Sequence, residues 1–232
     1  MPLVASYNIR KAIGSDRRRR PERILEVLAE LDADIIALQE ADRRFGARQS
    51  AIPPHMLSEH SDYRPVPFDI RAGSIGWHGN ALLVRDTVTI LRHMPLVLPA
   101  LEPRGAVLAD LRIGGHELRV VGMHLDLSGL WRRRQARAIL SHIEQQPTKL
   151  PTILMGDLNE WTASSGCLHD FAAHYKIAHI GPSFHARRPI ARLDRILTGD
   201  GISVEEAGVH RSLIAQTASD HLPVWARVHL HR

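Results

Sequence analysis

Five short runs carry side chains of the types that do chemistry: Tyr7-Asn8-Ile9, Leu38-Gln39-Glu40, His124-Leu125-Asp126, Gly156-Asp157-Leu158-Asn159 and Ser219-Asp220-His221. Each stands where an apolar run gives way to polar residues. There a buried strand delivers its last side chain to a rim and holds it rigidly. Glu40 closes the run Ile35-Ile36-Ala37-Leu38-Gln39, so its carboxylate emerges at a strand tip, and Asn8 ends the first strand-like run with an amide oxygen. A hard cation such as Mg²⁺ takes oxygen ligands, keeps several waters and needs one or two carboxylates. Asp157 and Asn159 follow a short apolar run, and strand alternation puts them on one side, where a carboxylate and an amide can orient a water. His221 is the natural group for proton transfer near neutral pH, provided another side chain fixes its tautomer. Taken singly, these runs read as a solvated glutamate, a Gly-Asp turn and a loop asparagine.

The elements that must position these residues are legible in the apolar pattern. Strands are expected at Leu3 to Ile9, Asp34 to Leu38, Ala81 to Val84, Ala106 to Leu111, Leu118 to Met123, Thr152 to Met155, Arg195 to Leu197 and Val224 to Leu230. Several are apolar throughout, which implies layers packed on both faces of a sheet. Pro21 to Leu31 carries Ile24, Leu25, Leu28 and Leu31 at amphipathic-helix spacing, with proline suited to the first turn. Trp131 to Ile143 reads likewise, with Gln135, Arg137 and Glu144 outward and Ile139, Leu140 and Ile143 inward. Gly114-Gly115 is a two-residue hairpin signal. Ala47 to Gly76 and Gly181 to Pro189, rich in Pro, Gly and His, are expected as long loops.

Composition bounds the rest. A chain of 232 residues that is 44% hydrophobic suits one domain spanning 1–232, since every stretch between the five runs is needed to connect them. The lone Cys167 excludes an intramolecular disulfide. No apolar stretch approaches the roughly 20 residues of a membrane span, and no signal-like run precedes Leu3, so cytoplasmic residence is expected. The net charge of +5 suits an anionic partner, although 27 arginines against 3 lysines also fit a coding bias.

Together and in this order, the five runs closely resemble the endonuclease/exonuclease/phosphatase superfamily, the metal-dependent phosphoesterases that include DNase I-like nucleases, bacterial sphingomyelinases and inositol polyphosphate 5-phosphatases. The resemblance covers nearly the whole chain. It implies an α/β (α+β) four-layer sandwich, two mostly antiparallel mixed sheets face to face with helices on both outer sides. It implies Glu40 as principal ligand of Mg²⁺ (Mn²⁺ as substitute), with Asn8 and Asp220 beside it. Asp194, in Leu193-Asp194-Arg195-Ile196, matches the aspartate that orients the histidine at His221. His124 stands where abasic-site endonucleases typically carry tyrosine, and would meet a phosphoryl oxygen or the leaving group. Asn80, in Gly79-Asn80-Ala81-Leu82-Leu83, matches a further motif that positions substrate.

Arg104 and Trp161 are rim candidates, with Trp161 equally readable as core. The chain is short for this superfamily and lacks the long basic or aromatic insertions with which nuclease members grip a duplex. No aromatic residue interleaves Arg17 to Arg20, as a stacking platform for single strands would require. The expected activity is therefore a Mg²⁺-dependent phosphodiesterase acting on nucleic acid or on a lipid or sugar phosphodiester, without a covalent intermediate. The rival reading is a module of the same fold that has lost catalysis and only binds anions through its arginines.

Overall fold

The computed structural model describes residues 1–43, 49–68, 73–102 and 104–231. One sheet is built from β1 (Leu3–Asn8), β2 (Ile35–Gln39), β3 (Tyr63–Pro65), β4 (Ala81–Arg85), β11 (Ile202–Val209) and β12 (Val224–Leu230). The other is built from β5 (Thr89–Leu96), β6 (Gly105–Ile113), β7 (His116–His124), β8 (Thr152–Asp157), β9 (Lys176–Ile177) and β10 (Asp194–Thr198). Their spatial orders are β11-β12-β1-β2-β4-β3 and β5-β6-β7-β8-β10-β9. Each sheet holds a parallel pair in its middle, β1 with β2 and β7 with β8, and the remaining pairs are antiparallel.

A parallel pair needs a crossover, and here the crossovers are helices: α1 (Pro21–Leu31) joins β1 to β2, and α3 (Gly129–Glu144) joins β7 to β8. Shorter helices α2 (Pro54–His60), α4 (Cys167–Ala172) and α5 (Ala215–Ala218) complete the cover. Three buried clusters mark the interfaces. Tyr7, Ile36 and Leu38 meet Ile24 and Leu28 of α1 on the outside of the first sheet. Val4, Ile35, Val107, Val120 and Ile153 meet between the sheets. Val121 and Leu154 meet Ala136 and Ile139 of α3 outside the second sheet. The layers are thus helix, sheet, sheet, helix, as the resemblance implied. No described helix is long and apolar enough to cross a membrane.

Several expectations need correction. The segment Ala47 to Gly76 is not one loop: it holds α2 and β3, while its residues 47–48 and 69–72 lie outside the described residues. Gln135 does not face outward. It is fully buried and accepts the Asp126 N–H at 2.8 Å, fixing the chain just past β7. Strands β5 and β11 were not expected, because both are edge strands with exposed side chains and little apolar signal. Gly114 and Gly115 do form the hairpin tip, with φ of 55° and 81° between Ile113 and His116.

Candidate active site

The inter-sheet core ends in a polar cluster, and strand alternation dictates which residues enter it. Val4, Ile35, Leu82, Val107, Val120, Ile153 and Ile196 all point between the sheets. Stepping by even intervals toward one end of the sandwich gives Asn8, Gln39, Asn80, Gly105, His124, Asp157 and Asp194 on the same face. The pairings Asn8↔Gln39, Gly105↔His124, His124↔Asp157 and Asp157↔Asp194 bring those strand ends level. Where the faces stop being apolar, a site begins.

Asp157 is its hub. Its side chain is 2% exposed and it receives the Asn8 Nδ2 amide at 2.9 Å across the gap between the sheets. His124 Nε2 stands 3.4 Å and His221 Nε2 3.7 Å from the same oxygen, while the Asn159 N–H donates to the other oxygen at 3.0 Å. Burial works to raise the Asp157 carboxyl, but the His221 charge, His124 and the Asn8 amide overcome it and hold it well below the usual carboxylate range. His221 Nδ1 lies 2.9 Å from Asp194 Oδ2, so the carboxylate keeps a proton on Nδ1 and turns Nε2 toward Asp157. Burial favours the neutral imidazole. Asp194 and Asp157 outweigh it and push His221 up to about 10. The Ser183 hydroxyl donates to the same Asp194 oxygen, so the orienting carboxylate is itself held.

Two backbone devices finish the geometry. Alternation would send Glu40 to the opposite face from Gln39, but a φ of 51° turns the chain there. Its carboxyl is kept below the ordinary range, with burial opposing and the charges of His124, Lys11 and Arg104 prevailing. Three successive residues that are not glycine, Arg10, Lys11 and Ala12, also have φ of 46°, 57° and 58°, in a region that costs such residues free energy. This turn aims Arg10 Nε at Asp220 Oδ2, 3.2 Å away, and the Lys11 ammonium at Glu40.

Asn8, Glu40 and Asp220 offer oxygen donors alone, the set that a hard divalent cation takes. Glu40 remains 24% and Asp220 21% exposed in their side chains, each matched by one exchangeable cation, so the donors fit such a metal. Separately, ligand atoms of Asp157, Asp194 and His221 lie within 4.8 Å of one another. We read that trio as other than a metal site: Asp194 Oδ2 and His221 Nδ1 are already engaged with each other, and Asp194 Oδ1 has no partner among the described residues.

A family model for the endonuclease/exonuclease/phosphatase family matches residues 5–221. The chain belongs to that family. Escherichia coli K12 YbhP, an uncharacterised protein, is 25% identical to it, the match covering 98% of this chain and 96% of YbhP. The fold of this endonuclease/exonuclease/phosphatase chain matches that of the mannosyl-6-phosphatase Bt3783 of Bacteroides thetaiotaomicron, at a TM-score of 0.74 and 23% identity over 99% and 100% of the two chains. It likewise matches D. rerio TDP2 complexed with a single-strand DNA product, at a TM-score of 0.74 and 16% identity over 98% of each chain.

Within this family member, the remaining sequence candidates fall in three places. Arg104 contacts His124 Nε2 directly and lies beside Glu102. Asn80 is fully buried, and its Nδ2 ties to the Gly105 carbonyl at 3.0 Å, which leaves Oδ1 as the atom without a partner among the described residues. Trp161 is 64% exposed, so it belongs to the rim and not to the core. Asn159 spends its Nδ2 on the Leu125 carbonyl at 3.0 Å, bracing the loops after β7 and β8 against each other. Sequence reasoning missed Arg10, Lys11, Ser183 and Phe184, whose ring centroid is 4.9 Å from that of His221. Arg10 and Lys11 adjoin the Asn8 run, which is a signal of proximity, but no composition rule shows a left-handed turn that aims them.

Proposed function

We propose that the chain is a divalent-metal-dependent phosphodiesterase that hydrolyses its substrate by direct attack of water. The observation that carries this reading is Asp157, an anionic carboxylate supported by Asn8 from one sheet and faced by two imidazoles. Glu40, with Asn8 and Asp220, would hold the cation, which supplies charge neutralisation at the phosphoryl oxygens. Asp157, held anionic, accepts a hydrogen bond from the attacking water and draws off its proton as the new phosphorus–oxygen bond makes that water acidic, while the Asn159 N–H fixes the orientation of Asp157. His221, carrying its proton and locked by Asp194, donates from Nε2 to a phosphoryl oxygen. His124, backed by Arg104, meets the charge developing on the leaving oxygen.

Hydrolysis of bis-p-nitrophenyl phosphate tests the reading. Turnover should require Mg²⁺ or Mn²⁺, vanish with EDTA and return on adding metal. Full turnover by a metal-free Glu40→Gln protein would sink the metal assignment. Absence of hydrolysis for this ester, for DNA, for RNA and for phospholipids, with anion binding retained, would instead establish the binding-module reading.

A further inference from the structure

Trp161, Ile190 and Leu213 are 64%, 76% and 85% exposed, on three loops at the end of the sandwich where the site opens. These loops touch one another. The Ile190 N–H donates to the Phe184 carbonyl at 2.7 Å, and the Phe184 ring meets Trp161 edge-on at 6.1 Å directly beside His221. Arg187, from the same loop, donates to Ser15 Oγ at 3.0 Å, and the Ser15 N–H donates to the Thr217 carbonyl at 2.9 Å. Thr217 lies in α5, and its hydroxyl donates to the carbonyl of Leu213, in the turn that enters that helix, at 3.4 Å. Interleaved with these tips, Arg17, Arg18, Arg19, Arg20, Arg187 and Arg188 are all exposed. Asp16, the acid within residues 14–20, is already taken by Arg23 at 2.6 Å.

An exposed leucine alone means nothing. Aliphatic tips and one tryptophan set among arginines around a catalytic mouth are different, because two kinds of partner would choose between them. A nucleic acid strand would favour aromatic platforms for its bases, and only one of the three tips is aromatic. An anionic bilayer rewards the whole set: guanidinium groups meet lipid phosphates, tryptophan sits at the headgroup level and aliphatic side chains enter below it. Building on the phosphodiesterase reading, we propose that this face docks onto an anionic phospholipid surface and that the ester cleaved is a lipid phosphodiester. The water oxygen bonds to phosphorus, one phosphorus–oxygen ester bond breaks, and the proton removed from water is made good on the departing alcohol.

The full-length protein in EDTA, where no turnover competes, is sedimented with vesicles of phosphatidylcholine alone and of phosphatidylcholine with phosphatidylglycerol. Binding should be confined to the phosphatidylglycerol vesicles and weaken with salt. Ile190→Ser/Leu213→Ser and, separately, Arg17→Ser/Arg18→Ser/Arg20→Ser should each lower partitioning by about tenfold or more while leaving bis-p-nitrophenyl phosphate turnover in Mg²⁺ unchanged. Arg19 is kept because its Nε bonds the Lys11 carbonyl. Failure to bind either vesicle, or wild-type partitioning by the Ile190/Leu213 variant, overturns the docking face. Tight binding of single-stranded DNA that ignores the aliphatic substitutions assigns the face to nucleic acid instead. If the Mg²⁺-loaded enzyme cleaves bis-p-nitrophenyl phosphate but not the lipid of vesicles it binds, the substrate assignment is overturned while the phosphodiesterase reading stands. If it binds vesicles and cleaves neither, the phosphodiesterase reading fails and the docking face survives.

Discussion

Asp194 holds His221 through its Oδ2, so under the proposed mechanism the two should share a kinetic signature. His221→Ala and Asp157→Asn are each expected to lower kcat by about 10²-fold or more, the scale of losing a positioned donor to the phosphoryl oxygens in the first case and a positioned base in the second. Asp194→Asn should match them, because an amide at that position no longer holds the proton on Nδ1. All three residues sit where strands reach the rim, and circular dichroism melts should show smaller changes than the kinetics do; equal losses of stability and activity would indicate a structural role. Lys11 calls for a different measurement. Its ammonium occupies the Glu40 carboxylate that a divalent cation would need, so Lys11→Met should tighten Mn²⁺ binding several-fold in calorimetry. A weaker Mn²⁺ affinity in that variant would show that Lys11 supports the site and does not compete with metal.

At the scale of elements, the two parallel pairs decide whether the site forms. Met123 and Gly156 face each other one step before His124 and Asp157, and a Cβ on Gly156 would stand 1.9 Å from the Met123 carbonyl oxygen. No side-chain rearrangement relieves a backbone contact. Gly156→Ala should force β7 and β8 apart, costing roughly 1–3 kcal/mol. For a chain of this size that means a Tm lower by roughly 2–12 °C. Activity should fall with it, since His124 and Asp157 are the next pair along; an unchanged melt and unchanged kcat would refute this account of the register. Gly156 also shows how far the sequence could be read. As part of a Gly-Asp pair it reads as a turn, yet its place depends on close approach of another strand. The buried strands were legible because apolar runs need layers on both faces. Edge strands β5 and β11 were not, since half-exposed strands carry no such run, and Gln135 was misplaced because a polar side chain in a helix reads as solvent-facing until its buried partner, the Asp126 amide, is known. The signature residues of the site were legible as types at strand ends, whereas the turns at Glu40 and at Arg10 to Ala12 depend on backbone angles that residue identity does not reveal.

For the whole molecule, the site is assembled from pieces far apart in the chain. Asn8 bonds Asp157 across 149 positions, and the Ser219 hydroxyl bonds the Asn8 carbonyl across 211. A fragment ending before Asp220 lacks both Asp220 and His221, so it cannot form the Asp194–His221 hydrogen bond. The placement of β12 between β11 and β1 carries this into biosynthesis, because the strand that joins β11 to β1 is made after every other strand of both sheets. At about 5–20 residues per second, β1 waits on the order of 10–45 s after translation for the strand that covers its open edge. Through that interval its backbone donors and acceptors stand available to other chains. Ribosome-stalled chains ending short of Val224 should therefore be degraded rapidly by added protease and bind chaperones, and chains that have fully emerged should resist. Equal resistance in both would mean that β1 finds an alternative cover during synthesis.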